Sequence, residues 1–302
     1  MRNISMTFHY LFRSVLLAGF SFLIVRLVQV GSLHYYIAPR TELYVKLAAL
    51  VLFLLAVCLA YISLRGLNTQ TDCGCNHKPS PSIGKSILMY SLFVLPLGLG
   101  FLTPDTLLAS NITSMKGINL STKNYTNTNI PAEEIIDEPE PVAAEHSSLH
   151  SLFPYDEYTE LHAKLGMKLY AQDAISIQNI GFMEVLTTLD IYRENFIGKT
   201  VEISGFVYRE DDMEPNQFVV SRLAMQCCSA DTEPYGILAN YSNGKELAKD
   251  SWIRATGVLG LTSYNDIEIM QLAINRIETI TQPETPYVYP NDDYFEQLLA
   301  DK

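Results

Sequence analysis

The pattern of apolar and polar positions changes period three times along the 302 residues. The first stretch holds long apolar runs at 10–30, 47–64 and 87–108. The middle run is 18 residues without a charge, close to the length that crosses a bilayer. The third reads "ILMYSLFVLPLGLGFL", and Pro96 within it is tolerable where neighbouring helices re-satisfy the freed backbone groups. The first run carries Arg13 and Arg26 and lacks the small-residue cleavage site of a signal peptide, so it reads as a retained helix. Residues 1–117 are therefore expected to form a membrane α-helical region of three transmembrane helices. Arg26 has two readings: snorkelling or packing against another helix, and a charge on a substrate path or at a subunit contact. Cys58, inside the second run, reads as packing.

Residues 118–158 are polar, acidic and Pro-containing, the composition of a linker. Three- and four-residue spacing of apolar positions then predicts amphipathic helices over 159–172 and 179–196. The segment "AISIQN" between them reads as a short strand or a lead-in to the second helix. From residue 198 the period becomes two. Runs at 199–209, 216–225, 235–241, 251–261 and 267–280 read as strands separated by Gly, Asn and Asp clusters. The fifth is expected to be interrupted near Gln271, and "REDDMEPN" reads as a hairpin turn. The segment 243–251 has room for one helical turn before the fourth strand, the element order of a five-stranded OB-like barrel; a small sandwich is the alternative. The expected architecture is thus a three-helix membrane region, a linker, and an α+β domain over 159–302. That domain comprises helices at 159–196, the OB-like barrel at 197–281 and a C-terminal tail at 282–302.

Charge sharpens this division. Residues 1–117 carry nine Lys/Arg against three Asp/Glu, and residues 118–302 carry twelve against thirty. The basic half is also the apolar half, which points to a membrane rather than a nucleic acid. Arg2 and Arg13 precede or open the first helix, and Arg65, Lys78 and Lys85 lie between the second and third. Cationic loops face the cytoplasm, so the N-terminus and residues 65–86 are expected inside the cell membrane and the acidic domain outside it. Single-strand nucleic-acid binding needs a positively charged groove with stacking aromatics; an acidic domain outside the cell excludes it.

Two segments, "GKTVEISGFVYRE" (198–210) and "FVVSRLAMQCCSADTEPYGILA" (218–239), carry a resemblance that extends to "GSLHYYIAPR" (31–40), "LPLGLGFLTPDTL" (95–107) and "KGINL" (116–120). On these the chain resembles the YcgQ-type family, whose members look like the smaller subunit of a two-component bacterial permease. The resemblance covers nearly everything except the linker, and its most specific part is the CCxAD segment. It implies an integral-membrane permease subunit as partner and does not imply a substrate.

Two cysteine groups carry candidate chemistry. Cys73, Cys75 and His77 form a Cys-x-Cys-x-His run in the loop expected inside. Alternate residues of an extended loop can point thiolate and imidazole ligands at one Zn²⁺ or Cu⁺; the other reading is a solvated turn. Cys227 and Cys228 are adjacent at the end of the second predicted strand, with Asp231 close behind. They admit three readings. Buried small residues are one, although neighbours in a strand point to opposite faces. A vicinal disulfide outside the cell is another. The third is a cation site, most naturally zinc, in which a bulge turns both sulfurs outward and Asp231 adds an oxygen. No Gly-x-Ser-x-Gly, phosphate loop or other hydrolase or transferase constellation occurs, so no enzymatic activity is expected. Three helices are too few to enclose a transport path. The functional expectation is therefore an accessory or substrate-capturing subunit of a two-component permease, for metal cations such as zinc. The alternative is a membrane-anchored extracytoplasmic sensor or binding module.

Overall fold

A computed structural model describes residues 4–65, 83–102, 113–114, 116–120, 146–291 and 293–300. It divides into two compact units, residues 1–107 and 108–302, each taken here by itself.

The first unit holds α1 (Ile4–Val30), α2 (Pro39–Arg65) and α3 (Ile83–Leu102). Their packing follows a small-residue pattern. Ser14 and Ser21, seven residues apart on α1, donate to the carbonyls of Ala56 and Ala49 on α2 at 2.7 and 2.8 Å. The two helices therefore run antiparallel, with their polar side chains satisfied inside the seam rather than in lipid. α3 runs parallel to α1. Leu97 sits where a Cβ on Gly19 would come within 2.7 Å, and Leu23 likewise over Gly100 at 2.8 Å. His9 Nδ1 and the Tyr90 hydroxyl lie 3.0 Å apart at the other end of this seam. Arg26 is half-buried with its guanidinium 5.6 Å from the centroid of Phe101, so it packs on an aromatic face of α3. Cys58 is exposed on α2, facing away from the seam. Two helices, Phe8–Val30 and Pro39–Arg65, are long and apolar enough to cross a membrane. The apolar part of α3 is shorter, Ile87–Leu102, and the last residues of the third predicted run lie outside the described residues. Length and apolarity thus support two of the three expected crossings.

The second unit continues with α4 (His146–Leu152), α5 (Glu160–Tyr170), β1 (Ala174–Ile177), α6 (Phe182–Ile191), β2 (Thr200–Tyr208), β3 (Gln217–Ala224), β4 (Glu233–Asn240), β5 (Trp252–Tyr264), β6 (Ile267–Thr279), β7 (Tyr287–Val288) and α7 (Asp293–Ala300). The sequence "AISIQN" is thus a strand. β2 through β6 close a ring: β2 pairs with β3 and β5, β3 with β4, β4 with β6, and β5 with β6. Only the β4–β6 pairing within the ring is parallel. A 3₁₀ turn at Gly244–Glu246 precedes β5, where one helical turn was expected. β5 and β6 meet in a two-residue hairpin at Asn265 and Asp266, both with positive φ (50° and 62°), as a tight turn of the right twist requires. The expected break near Gln271 is absent. The pairing is continuous there and shifts by one residue at Asn275, opposite the step from Thr256 to Gly257.

Closure is tight enough to dictate glycine. A Cβ on Gly205 in β2 would meet the Ser221 carbonyl oxygen of β3 at 2.4 Å. Ring interior and helices share one core that includes Val201, Ile203, Phe218, Ile237 and Leu272 with Leu165, Leu189 and Phe196. Two expectations are corrected. The expected linker reaches residue 158, but Phe153 is wholly buried, its ring centroid 5.0 Å from that of Tyr192, and Pro154 accepts a hydrogen bond from the Tyr192 hydroxyl. The expected tail, 282–302, contains β7, which adds to β3 in parallel. Arg222, buried in β3, donates to the Thr285 and Tyr287 carbonyls and to Asn179 Oδ1, which ties that return segment down.

Candidate thiol–carboxylate site

β3 delivers the chain to the site. Ala224 ends the strand, and Met225 is fully buried with its N–H donating to the Val288 carbonyl at 3.0 Å. The backbone then bends at Gln226 and Cys227, and a 3₁₀ turn follows at Ser229–Asp231. Because the cysteines lie past the end of the strand, the alternation that would separate their side chains no longer applies. Their sulfurs converge to 3.8 Å. Cys227 is exposed and Cys228 half-buried, so burial as small core residues does not describe them.

Asp231 organises the loop. One carboxylate oxygen accepts the Gln226 N–H at 2.9 Å, and the other accepts those of Cys227 and Cys228 at 2.7 and 3.2 Å. Its own N–H returns to the Cys228 carbonyl at 3.0 Å. Partial burial works to raise the Asp231 carboxyl, but the Cys227 side chain and these three backbone donors outweigh it and hold the group below the usual carboxylate range. The reciprocal effect falls on the thiol. Hydrogen bonding to the Asp231 carboxylate, and then to the neighbouring Cys228, favours the protonated thiol and pushes Cys227 up to about 11, and the negative charge of Asp231 adds to the effect. A carboxylate offers about four lone-pair positions; on Asp231 three of them hold backbone N–H groups.

The two sulfurs and a carboxylate oxygen lie within 4.8 Å of one another. Among the described residues this is the one group of three such donors. Soft thiolates with a hard oxygen suit a borderline ion such as Zn²⁺. Cys73, Cys75 and His77, the other predicted ligand group, lie outside the described residues.

Two further residues hold the loop and were invisible to sequence reasoning. Lys116 donates from Nζ to the carbonyls of Ala230 and Thr232 at 2.9 and 2.6 Å. Asn119 donates its N–H to the Pro234 carbonyl at 2.9 Å and pairs with Tyr235. Both partners are more than a hundred residues away, and no spacing signals them. The other predicted polar residues do not gather into a second site. His162 is half-buried beside Thr188 Oγ1 at 2.8 Å, between α5 and α6. Asp212 and Glu210 accept from the Tyr264 hydroxyl at the hairpin turn.

Comparison with known proteins finds matches to both halves of the chain. Residues 12–119 match the DUF1980 N-terminal domain and residues 152–290 the DUF1980 C-terminal domain. The chain is 27% identical over 299 residues to the UPF0703 protein YcgQ of Bacillus subtilis (strain 168), covering 92% of this chain and 99% of that protein. It is 24% identical over 287 residues to a Streptococcus mutans protein named as a candidate two-component membrane permease complex subunit, covering 92% and 98%. No solved structure matches. The chain belongs to the DUF1980 family.

Proposed function

Because the chain belongs to this family, we propose that it is the cation-capturing subunit of a two-component membrane permease, with Cys227, Cys228 and Asp231 as the capture site and zinc as the fitting ion. In this reading three helices cross the cell membrane, the N-terminus is cytoplasmic, and the ring of β2–β6 is an OB-like barrel displaying the site outside. The strand order and the single parallel pairing support the barrel. The relative named as a permease complex subunit supports the partner: an integral-membrane subunit that supplies the path three helices cannot enclose. The protein itself carries out no chemical conversion. The observation that carries the proposal is the convergence of three metal-donor atoms within 4.8 Å on an exposed loop, where binding residues are commonly displayed.

The test is zinc titration by calorimetry of the reduced full-length protein in detergent, beside the Cys227→Ser/Cys228→Ser double variant. Saturable binding lost in the variant supports capture; equal, weak binding by both rejects it. Transport by the purified protein alone in liposomes would reject the subunit role. Co-purification from the native membrane followed by elemental analysis identifies partner and cargo together.

A further inference from the structure

The two sulfurs of the capture site have a second reaction open to them. Adjacent residues rarely bring their side chains together, yet the bend at Gln226 and Cys227 sets the sulfurs 3.8 Å apart on an exposed loop. A disulfide needs about 2.05 Å, so the two side chains must rotate toward each other to close the ring. Both Cα atoms flank one peptide bond and stand about 3.8 Å apart, short of the usual span for a disulfide of about 4.4–6.8 Å. The resulting ring is strained. Strained, exposed disulfides are the easily reduced, regulatory kind rather than the structural kind.

We propose that Cys227 and Cys228 form a reversible vicinal disulfide that closes the capture site, so that only the reduced pair takes the cation. The proposal rests on the capture reading above. In chemical terms, a thiolate of the pair attacks an external disulfide and releases one thiol, leaving a mixed disulfide. The second cysteine then attacks its neighbour's sulfur, expels the other thiol and completes the ring. Two thiol protons and two electrons leave the protein, and the external disulfide is reduced to two thiols. The ring has no thiolate to offer, and Asp231 alone, occupied by three backbone donors, does not make a site. Outside the cell, where oxidising couples act on thiols, reduction of the pair would license capture.

The experiment uses the full-length protein in detergent, equilibrated with oxidised and reduced glutathione at graded ratios. The peptide 223–245 is weighed at each ratio, and zinc occupancy is read with a chromophoric chelator. The expected result is a peptide lighter by two hydrogens, with zinc occupancy falling to background and returning on reduction. Cys227→Ser and Cys228→Ser each abolish the ring. Glutathione adducts without ring formation would overturn the switch, as would zinc retained by the ring form. A ring that forms in a protein binding no zinc in either state would reject the capture reading while leaving the disulfide standing.

Discussion

The coupling between Asp231 and Cys227 yields a sharp quantitative test. Asp231→Asn removes the charge that holds the thiol at about 11, against an ordinary 9.0, while keeping one oxygen to accept a backbone N–H. The largest cause of the shift disappears and the contribution of Cys228 stays, so the thiol falls toward its ordinary value by at most the difference of two units. At about pH 8 the thiolate fraction then rises by up to about 100-fold. Nucleophilicity falls as the pKa falls, with a Brønsted slope of about 0.4–0.5, so the net gain in alkylation rate is about tenfold. The assay is iodoacetamide labelling of the reduced full-length protein, quantified at Cys227 in the peptide 223–245 across a pH series. Asp231→Asn should react up to about tenfold faster below pH 9 and reach its plateau at lower pH than the wild type. Equal or slower labelling of the variant at every pH would refute the claim that the carboxylate holds the proton on Cys227.

Three further predictions concern ion binding, the core and the topology. Zinc affinity should rise with pH, since the raised Cys227 thiol must lose its proton while Asp231 stays ionised; about tenfold per pH unit per proton released is expected between about pH 6.5 and 7.5. A flat competition-titration profile there would exclude thiolate ligation. Phe153→Ala should lower stability by about 3–5 kcal/mol, because the ring is wholly buried among Tyr170, Tyr192 and Phe196; a denaturant midpoint that barely moves would return residue 153 to the linker. A Tyr158→Cys variant, at a position 82% exposed, should react with an impermeant maleimide on intact cells, and labelling only after lysis would invert the proposed topology.

Much of the ring was legible because strand periodicity is a local signal. Four of its strands match the predicted runs to within two residues at either end, and β5 runs on to Tyr264, three residues beyond its predicted run. What escaped was tertiary. β7 is two residues long, too short for any period, and exists because β3 has a free edge beside Leu223 and Ala224. Phe153 is the one phenylalanine in the polar stretch 118–158, and its burial depends on Gly166 opposite, where a Cβ would stand 2.7 Å from the ring. The shift at Asn275, four residues beyond the expected break at Gln271, is a property of two strands in register. The alternation rule would have put Cys227 and Cys228 on opposite faces; their convergence comes from the bend after β3. The composition of "MQCCSAD" showed that thiols and a carboxylate were near each other in sequence, and the backbone alone shows that they meet.

The Lys116 and Asn119 contacts bear on how this chain is inherited. Residues 113–119 fall within the stretch matched by the DUF1980 N-terminal domain, yet Lys116 and Asn119 fold onto the turn that carries the thiols. The two matched stretches are therefore not separable modules: the end of one finishes the surface of the other. A recombination that replaced the helical half up to residue 119 would deliver the cysteines intact and strip the strap from their loop. A chimera made to ask whether the helices only anchor the protein must be joined upstream of residue 113, or it will damage the site it was built to preserve.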